Sequence, residues 1–177
     1  MAVPTESTYA LAVDADNSVA VELVMRCKGR AATEPLPVLG GTLEDLTGLG
    51  VRLDDPALAP AMAAWPAALT VVAPLSRPVA SALGMSTLAV RVPDHEPLRR
   101  LLEELGRTVT GTSANRSGEP PATTVGEVSS LLTGFPAVVI HDERMPGGAP
   151  STIVAVEQGG LVVLRQGRFP TSGLFVR

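Results

Sequence analysis

Apolar and polar residues recur along the chain in short blocks that have the lengths of strands and short helices. The clearest helix is predicted after Asp94, its cap, because four leucines between positions 98 and 105 recur three and four residues apart. Further helices are predicted at 18–27, at 43–49, at 55–65 and, behind the capping-box pattern that begins at Thr124, through Leu132. About seven shorter runs predict strands, among them 9–13, 69–74, 87–92, 108–112, 137–141, 152–156 and 161–165.

This interleaving of elements indicates the fold class. About seven strands and five helices predict an α/β fold, mixed α+β, in which a twisted sheet of parallel and antiparallel strands is flanked by helices. The turn Gln158-Gly159-Gly160 predicts a hairpin between the last two strands. At 177 residues with 45% hydrophobic content the chain can bury a full core, and its length favours one domain over 1–177.

Composition disfavours several classes of protein. A net charge of -4 and a pI near 5.2 argue against strong direct binding of nucleic acid, which needs many surplus cations on one face. Four prolines interrupt the apolar run 56–75, which excludes a membrane span there, and no basic and apolar N-terminal stretch marks export. Cys27 is the only cysteine, which fits a reducing compartment. The sequence thus predicts a cytoplasmic protein without a membrane partner.

The stretch 111–121 is dense in hydroxyl, amide, glycine and proline residues, and it overlaps the end of a predicted strand. Ser113 and Asn115 offer short hydrogen-bonding side chains, while Gly111 and Gly118 let the backbone approach a bound group. Clusters of this composition also form ordinary turns. The segment is therefore either a ligand loop at the end of a strand or a turn.

Lys28 is the single lysine in a chain that has thirteen arginines. In Lys28-Gly29-Arg30 a compact, mobile cation would suit a phosphate, but it would equally complement a helix dipole ahead of a glycine C-cap. The sequence contains no Walker-A or dinucleotide-binding glycine pattern. It also shows no Ser-His-Asp arrangement or evident pair of carboxylates, so it supplies neither a nucleophile nor a strong general base.

Four segments follow one another in a particular order and spacing. Together they are more specific evidence than any one of them alone. They are Val3-Pro-Thr-Glu-Ser-Thr-Tyr-Ala-Leu11, Lys28-Gly29-Arg30, Thr87-Leu-Ala-Val-Arg-Val-Pro93 and Thr112-Ser-Ala-Asn-Arg-Ser-Gly118. In this arrangement they closely resemble the YrdC-like family. The resemblance extends over nearly the whole chain through Trp65-Pro66 with Leu69-Thr70, Ser151-Thr-Ile-Val154 and Leu164-Arg-Gln-Gly167. It implies the YrdC-like fold.

The resemblance also implies an activity, the synthesis of threonylcarbamoyl-adenylate. The implied substrates are L-threonine, bicarbonate and ATP with Mg²⁺ on its phosphates, and pyrophosphate is released. This synthesis would be the first step of N6-threonylcarbamoyladenosine formation in tRNA, and the product would pass to the threonylcarbamoyl transferase complex. The carbamate oxygen of the substrate would attack the α-phosphate, so the protein need only position reactants and stabilise charge.

The matched motifs imply two sets of site residues. ATP would face Lys28, Arg30, Thr87, Asn115, Thr123 and Arg165, and threonine would face Ser7, Arg91, Ser113 and Ser151. Lys28 and Arg30 would be the catalytic residues, Arg91 would suit a forked contact with a carboxylate, and no side chain is implied as a metal ligand. The alternatives are an outer strand face for Thr87 and Arg91, a turn for Ser151 and a surface hairpin for Arg165.

Several positions depart from the family's pattern. Members usually carry a strand and a helix before Pro-Thr-Glu, whereas three residues precede Pro4, so either the start is truncated or this member uses less. Ser7 stands where threonine is usual, and Leu39 replaces a histidine found beside threonine in some members, which bears on amino acid specificity. Glu34 falls where many members place lysine or asparagine near the triphosphate. Its carboxylate would repel phosphate unless it turned to solvent or to the metal.

Two alternatives stand beside the synthase. One is a paralogue that makes another carbamoyl-adenylate in a biosynthetic pathway, and the other is a non-catalytic module that binds RNA or the ribosome. The acidic pI argues against the second. Pyrophosphate release and a salt-dependent RNA gel shift distinguish the three.

Overall fold

The computed structural model describes residues 1–30, 34–141 and 148–174, and nine strands and five α-helices lie within these ranges. The strands are β1 (Ala2–Pro4), β2 (Tyr9–Leu11), β3 (Val38–Leu39), β4 (Leu69–Pro74), β5 (Thr87–Arg91), β6 (Val109–Thr110), β7 (Thr112–Ser113), β8 (Thr152–Glu157) and β9 (Gly160–Arg165). The helices are α1 (Ser18–Lys28), α2 (Leu43–Leu49), α3 (Ala59–Ala63), α4 (Glu96–Leu105) and α5 (Val125–Leu131). Short 3₁₀ turns occupy Pro56–Leu58, Ala80–Ala82 and Thr171–Gly173.

The strands form two sheets. The larger has the order β6-β3-β5-β4-β8-β9, and the smaller has the order β1-β2-β7. In the larger sheet β3 runs parallel to β5 and β4 runs parallel to β8, whereas β4 and β5 are antiparallel. The smaller sheet is antiparallel throughout. The predicted mixed α/β fold is confirmed, with the difference that its strands divide between two sheets.

Three groups of buried side chains hold the layers together. The first contains Leu46 of α2 and Val90 of β5, and it packs α2 and α3 on the larger sheet. The second packs α1 and α5 around the smaller sheet, with Tyr9 1% exposed. The third includes Leu102 of α4 together with residues of both sheets. Because each of these large side chains loses nearly all contact with water, the burial fixes the two sheets against each other.

Capping chemistry sets the helix ends. The side chain of Asn17 accepts a backbone N–H at the start of α1, and Gly29 ends that helix in the left-handed conformation at φ 60°, as predicted. The predicted capping box of α5, between Thr124 and Glu127, is also present. No helix in the described ranges has the length and apolar character needed to cross a bilayer.

The cap of α4 corrects a prediction. His95, not Asp94, caps the helix, because its Nδ1 accepts the N–H of Leu98 at 3.3 Å. Asp94 instead lies 3.7 Å from a nitrogen of Arg99. The buried face of α4 also includes fewer leucines than predicted, because Leu105 at the end of the helix is 49% exposed.

The predicted strand at 108–112 is divided at Gly111 between the two sheets, into β6 and β7. The N–H of Gly111 donates to the carbonyl of Pro37 at 2.6 Å, and a Cβ at this position would lie 2.5 Å from Cγ of Leu39. The chain can therefore pass from one sheet to the other here because residue 111 has no side chain.

The predicted strand at 137–141 is reduced to a bridge between Ala2 and Val139. It adjoins β1, which the sequence did not predict as a strand. β1 is three residues long and ends at Pro4, which has no N–H to donate to a neighbouring strand. The ladder between these segments consequently stops after Ala2.

Candidate functional site

A cavity of about 480 Å³ opens between the two sheets and is the structural counterpart of the predicted site. Its wall is built from the loop between β1 and β2, the end of α1, the ends of β3 and β5, the loop after β7, and the facing ends of β8 and β9. Eight of the predicted site residues line it, namely Ser7, Lys28, Arg30, Arg91, Ser113, Asn115, Ser151 and Arg165. The structure thus brings together residues that are up to 158 positions apart in the chain.

Thr87 and Thr123 do not line this cavity. Thr87 begins β5, whereas Arg91, which lines the cavity, ends it, so the two lie about four strand residues apart. Thr123 precedes α5, and both its N–H and its hydroxyl donate to Glu127. The prediction that these two threonines face ATP therefore gains no support from the cavity.

Lys28 is the last residue of α1, and its ammonium reaches the loop after β7. Nζ donates to the carbonyl oxygens of Ser113 at 2.5 Å and Asn115 at 3.1 Å, and to Oδ1 of Asn115 at 2.8 Å. These contacts use all three N–H groups of an ammonium. Burial, and then the charge of Arg30, lower the pKa of Lys28 to about 8. Lys28 is thus both at a helix end and a component of the site.

The loop after β7 is held in one conformation by its own hydrogen bonds. The hydroxyl of Ser113 donates to Oδ1 of Asn115 at 2.7 Å, and Nδ2 of Asn115 donates to the carbonyl of Glu119 at 2.6 Å. The N–H of Ser117 donates to the carbonyl of Lys28 at 2.8 Å. A loop fixed in this way binds a ligand without first losing conformational freedom.

Arg30 and Glu34 form an ion pair of 2.5 Å at the edge of the cavity. Arg30 lines the cavity, while Glu34 does not and is 52% exposed at its side chain. The carboxylate therefore turns toward solvent and toward an arginine, one of the arrangements expected to limit its repulsion of phosphate.

Arg91 lines the same cavity as Arg30 but is more deeply buried. Its side chain is 7% exposed, and Nη1 donates to Oε1 of Glu6 at 2.5 Å. Burial lowers the pKa of Arg91, and the carboxylate of Glu6 opposes this effect. A buried guanidinium with one carboxylate partner is well suited to a forked contact with a ligand carboxylate.

Ser151 and Arg165 complete this side of the cavity. The hydroxyls of Ser151 and Thr70 share a hydrogen bond of 2.8 Å. Arg165 donates to the carbonyl of Ser151 at 2.8 Å, and burial and then the charge of Arg91 lower the pKa of Arg165. Arg165 was predicted to face ATP, and among the described residues it donates hydrogen bonds to Ser151, which was expected to face the amino acid.

Ser7 belongs to a tight turn that Thr5 organises. The hydroxyl of Thr5 donates to the carbonyl of Thr8 at 2.8 Å and accepts the N–H groups of Ser7 and Thr8 at 3.2 and 3.3 Å. All three residues line the cavity. The turn thus places Ser7 in the wall of the cavity.

Four further residues at the site had no role predicted from the sequence, namely Glu6, Thr70, Thr5 and Thr8. Glu6 and Thr70 lie inside quoted motifs, so the motifs located them, but only the structure shows the 2.5 Å contact with Arg91 and the 2.8 Å contact with Ser151. Both contacts join residues 81 or more positions apart, which no local pattern reveals. Leu39, singled out as a departure from the family, does line the cavity.

The charge of the lining is one-sided. Lys28, Arg30, Arg91 and Arg165 line the cavity, and none of the described lining residues is a carboxylate. Among the described residues, no group of three His, Cys, Asp or Glu side chains could hold a metal ion. The cavity can therefore bind a ligand with several negative charges, with short hydroxyl groups beside them.

Known proteins are similar to this chain in sequence. A Pyrococcus abyssi protein named threonylcarbamoyl-AMP synthase is 33% identical over 172 residues, which are 96% of this chain and 51% of that protein. An Idiomarina loihiensis protein of the same name is 35% identical over 159 residues, 86% of this chain and 83% of that protein. The chain thus spans about half the length of the first relative and most of the second.

Solved structures give the same result. The crystal structure of P. abyssi Sua5 complexed with L-threonine matches 94% of this chain and 49% of that one, with 33% identity and a TM-score of 0.84. Escherichia coli YciO matches 98% of this chain with 22% identity and the same TM-score of 0.84, which supports the fold alone. The Sua5, YciO and YrdC family model, described as "Telomere recombination", matches residues 1–167. The chain belongs to this family.

Proposed function

We propose that the protein makes L-threonylcarbamoyl-adenylate from L-threonine, bicarbonate and ATP and releases pyrophosphate. The observation that carries this proposal is the cavity itself, in which four cationic side chains and several short hydroxyls converge without a carboxylate among the described lining residues. ATP brings a triphosphate and an amino acid brings a carboxylate, so the two ligands together supply the missing negative charge. The names of the relatives support the same assignment.

The two ligands would occupy different parts of the cavity. Arg91 would hold the threonine carboxylate, because it is buried and offers a planar set of donors. Ser7, Ser113 and Ser151 are short enough to close around a small side chain. Lys28 and Arg30 would face the phosphates, where their charge opposes the charge that develops on the transferred group.

The chemistry asks little of the protein beyond position and charge. The amine of threonine would combine with bicarbonate to form a carbamate, with loss of water. A carbamate oxygen would then attack the α-phosphorus, and the bond from that phosphorus to the oxygen leading to the β-phosphate would break, so that pyrophosphate leaves. The nucleophile belongs to the substrate, which is consistent with the absence of an evident catalytic triad in the sequence.

Mg²⁺ would reach the site with ATP. Protein sites for this ion usually provide one or two carboxylates beside the substrate phosphates, and the described lining provides none. The residues present therefore do not make a magnesium site of their own. We assign no step to a protein-bound metal, and charge stabilisation rests on the cationic side chains.

The product would pass to the threonylcarbamoyl transferase complex that modifies tRNA, in the cytoplasm. A free adenylate is a mixed anhydride that water hydrolyses, so a consuming enzyme must be close at hand. The proposal includes no direct binding of tRNA by this chain, since its net charge is -4.

The proposal is tested by pyrophosphate release with ATP, bicarbonate and each of the twenty amino acids in turn. We expect release that requires both bicarbonate and threonine. Arg91→Ala should abolish it, whereas Arg100→Ala, which removes an arginine from an exposed ion pair on α4, should not. Release that is independent of any amino acid would favour the paralogue, and a salt-dependent RNA gel shift without release would favour the RNA-binding module.

A further inference from the structure

Among the described residues, Glu6 is the acidic side chain that contacts Arg91, a buried cation of the cavity lining. Its side chain is 8% exposed, and its Oε1 accepts a hydrogen bond from Arg91 at 2.5 Å. Its other carboxylate oxygen, Oε2, is buried without a hydrogen-bond partner in the described structure. Burying a carboxylate has a high cost in desolvation free energy, so its presence in this position calls for a physical explanation.

Glu6 does not touch the cavity, although its neighbours do. Thr5 and Ser7 line the cavity and Glu6 is absent from the lining, so its side chain lies behind the wall. There it occupies Nη1 of Arg91, which is the nitrogen with a hydrogen bond in the described ranges. Nε and Nη2, the edge of the guanidinium that forms a fork with a carboxylate, have no hydrogen bond among the described residues and are available to a ligand.

The main chain of Glu6 makes a second connection. Nη1 of Arg168 donates to the carbonyl of Glu6 at 2.6 Å. Arg168 follows β9, and its N–H donates to the carbonyl of Pro150, next to Ser151. Glu6 is therefore joined through its side chain to the end of β5 and through its carbonyl to the segment that supports Ser151.

Charge balance gives Glu6 a further effect. Arg91 and Arg165 are near enough for the charge of one to lower the pKa of the other. Glu6, Arg91 and Arg165 together carry one net positive charge, which one ligand carboxylate neutralises. Without Glu6, the buried Arg91 and the exposed Arg165 would carry two positive charges, and a single carboxylate would leave one of them uncompensated.

We propose that Glu6 is a positioning residue for amino acid recognition: it orients the guanidinium of Arg91 from behind and sets the charge of the site so that one carboxylate completes it. This inference rests on the proposed function. It assigns Glu6 an effect on the affinity for the amino acid and not on the affinity for ATP, because Lys28 and Arg30 have no contact with it among the described hydrogen bonds and ion pairs.

The test is Glu6→Gln, which keeps the shape and an acceptor oxygen but removes the charge. The matched control is Glu96→Gln, which makes the same change in a glutamate that pairs with Arg100 on the surface. Thermal shifts induced by L-threonine alone and by ATP alone are measured for both variants and the wild type, followed by the KM for each substrate. The ATP-induced shift reports an intact fold in each variant.

We expect Glu6→Gln to raise the KM for threonine about 10-fold to 100-fold, the range found when groups that orient ligating side chains at metal sites are removed. The KM for ATP and the ATP-induced shift should stay within about twofold, and Glu96→Gln should match the wild type. Equal losses for both substrates, or no loss, would overturn the inference. If the wild type itself shows no threonine-induced shift, the proposed function fails instead.

Glu6→Asp provides a second variant should Glu6→Gln not fold. It retains the charge and shortens the side chain by one methylene, so it should recover charge balance but hold Arg91 less well. We expect its threonine KM to lie between those of the wild type and Glu6→Gln, with an unchanged KM for ATP. An unchanged ratio of the two KM values in Glu6→Asp would also overturn the inference.

Discussion

The cationic side chains around Arg91 and those around Lys28 are held in different ways. Arg91 is a buried cation, and its partner is a buried carboxylate, Glu6. Around Lys28 the ammonium is satisfied by neutral oxygens of a loop, and Arg30 is paired with Glu34, whose side chain is 52% exposed. A buried pair fixes geometry, whereas an exposed pair exchanges partners readily.

The difference suits the two proposed ligands. An amino acid is small and must be distinguished from close analogues, which requires fixed donors at fixed places. A triphosphate is long, highly charged and common to many reactions, so charge matters more than shape. The side that contains Arg91 should therefore control selectivity, and the side that contains Lys28 should control rate.

The largest expected effect concerns amino acid choice. The hydroxyls of Ser7, Ser113, Ser151 and Thr70 line the pocket, and a ligand without a hydroxyl leaves buried polar groups unpaired. We expect kcat/KM for valine to fall about 1,000-fold or more below that for threonine. Serine lacks only a methyl and should lose roughly 1–3 kcal/mol, about 10-fold to 200-fold. Pyrophosphate release measures all three, and comparable rates for valine and threonine would contradict the selectivity assigned to this side.

The next effect concerns Lys28→Ala, which should lower kcat about 100-fold, or roughly 3 kcal/mol, by analogy with the loss of a charge-stabilising donor. Arg30→Ala should behave similarly, and Lys28→Arg should also be impaired because a guanidinium cannot reproduce three converging contacts.

The matched control for Lys28→Ala is Arg26→Ala, which removes the other cation from the last turn of α1 but lies outside the cavity lining. It should retain wild-type kcat. If both variants lost stability equally and kept their turnover, Lys28 would be a helix-end cation and nothing more.

A smaller effect should appear in the pH profile, because the pKa of Lys28 is about 8 instead of the ordinary 10.5. The charged form is needed for phosphate, so kcat/KM should fall as the pH rises through about 8. The folded state holds fewer protons than the unfolded state between about 8 and 10.5, so the contribution of this group to stability rises with pH over the same window.

Lys28→Arg separates these effects, since a guanidinium does not titrate in this range. Its kcat/KM should be low but should lack the decline near pH 8. A decline of the same size in the variant would assign the titration to another group.

The smallest effect should come from Glu34→Gln, which frees Arg30 from an exposed ion pair. Such pairs contribute about 0.2–1 kcal/mol, so the KM for ATP should fall about 1.4-fold to fivefold while the KM for threonine stays constant. Glu96→Gln again controls for loss of a surface carboxylate. A higher KM for ATP in this variant would contradict the prediction. It would mean that Glu34 assists ATP binding, for example through the Mg²⁺ on the phosphates.

The sequence predicted the parts of the fold that local chemistry decides. The caps of α1 and α5 and the hairpin at Gln158 follow from residue types a few positions apart, and they are confirmed. The cap of α4 was predicted at the wrong residue, because Asp is a more usual capping residue than His. His95 caps the helix through a ring nitrogen. Division of the strands into two sheets depends on the close approach of Gly111 to Leu39, which is a tertiary contact.

The sequence predicted which residues line the candidate site more fully than it predicted how they are arranged. Motifs located eight residues of the cavity lining, because family resemblance carries position along the chain. They could not show that Arg165 lies beside Ser151 or that Arg30 is paired with Glu34. Those facts depend on the path of the backbone between distant segments and on side-chain orientation, which spacing in a sequence does not determine.

The close approach of Gly111 to Leu39 makes the volumes of these two positions interdependent. Both line the cavity, and a methyl group at 111 would overlap the side chain of Leu39. A larger residue at 111 can therefore be accommodated only by a smaller one at 39. The size of this part of the cavity is consequently set jointly by β3 and by the point where the chain passes between the two sheets. Redesign of the substrate range would have to change both positions together, as a single unit of shape.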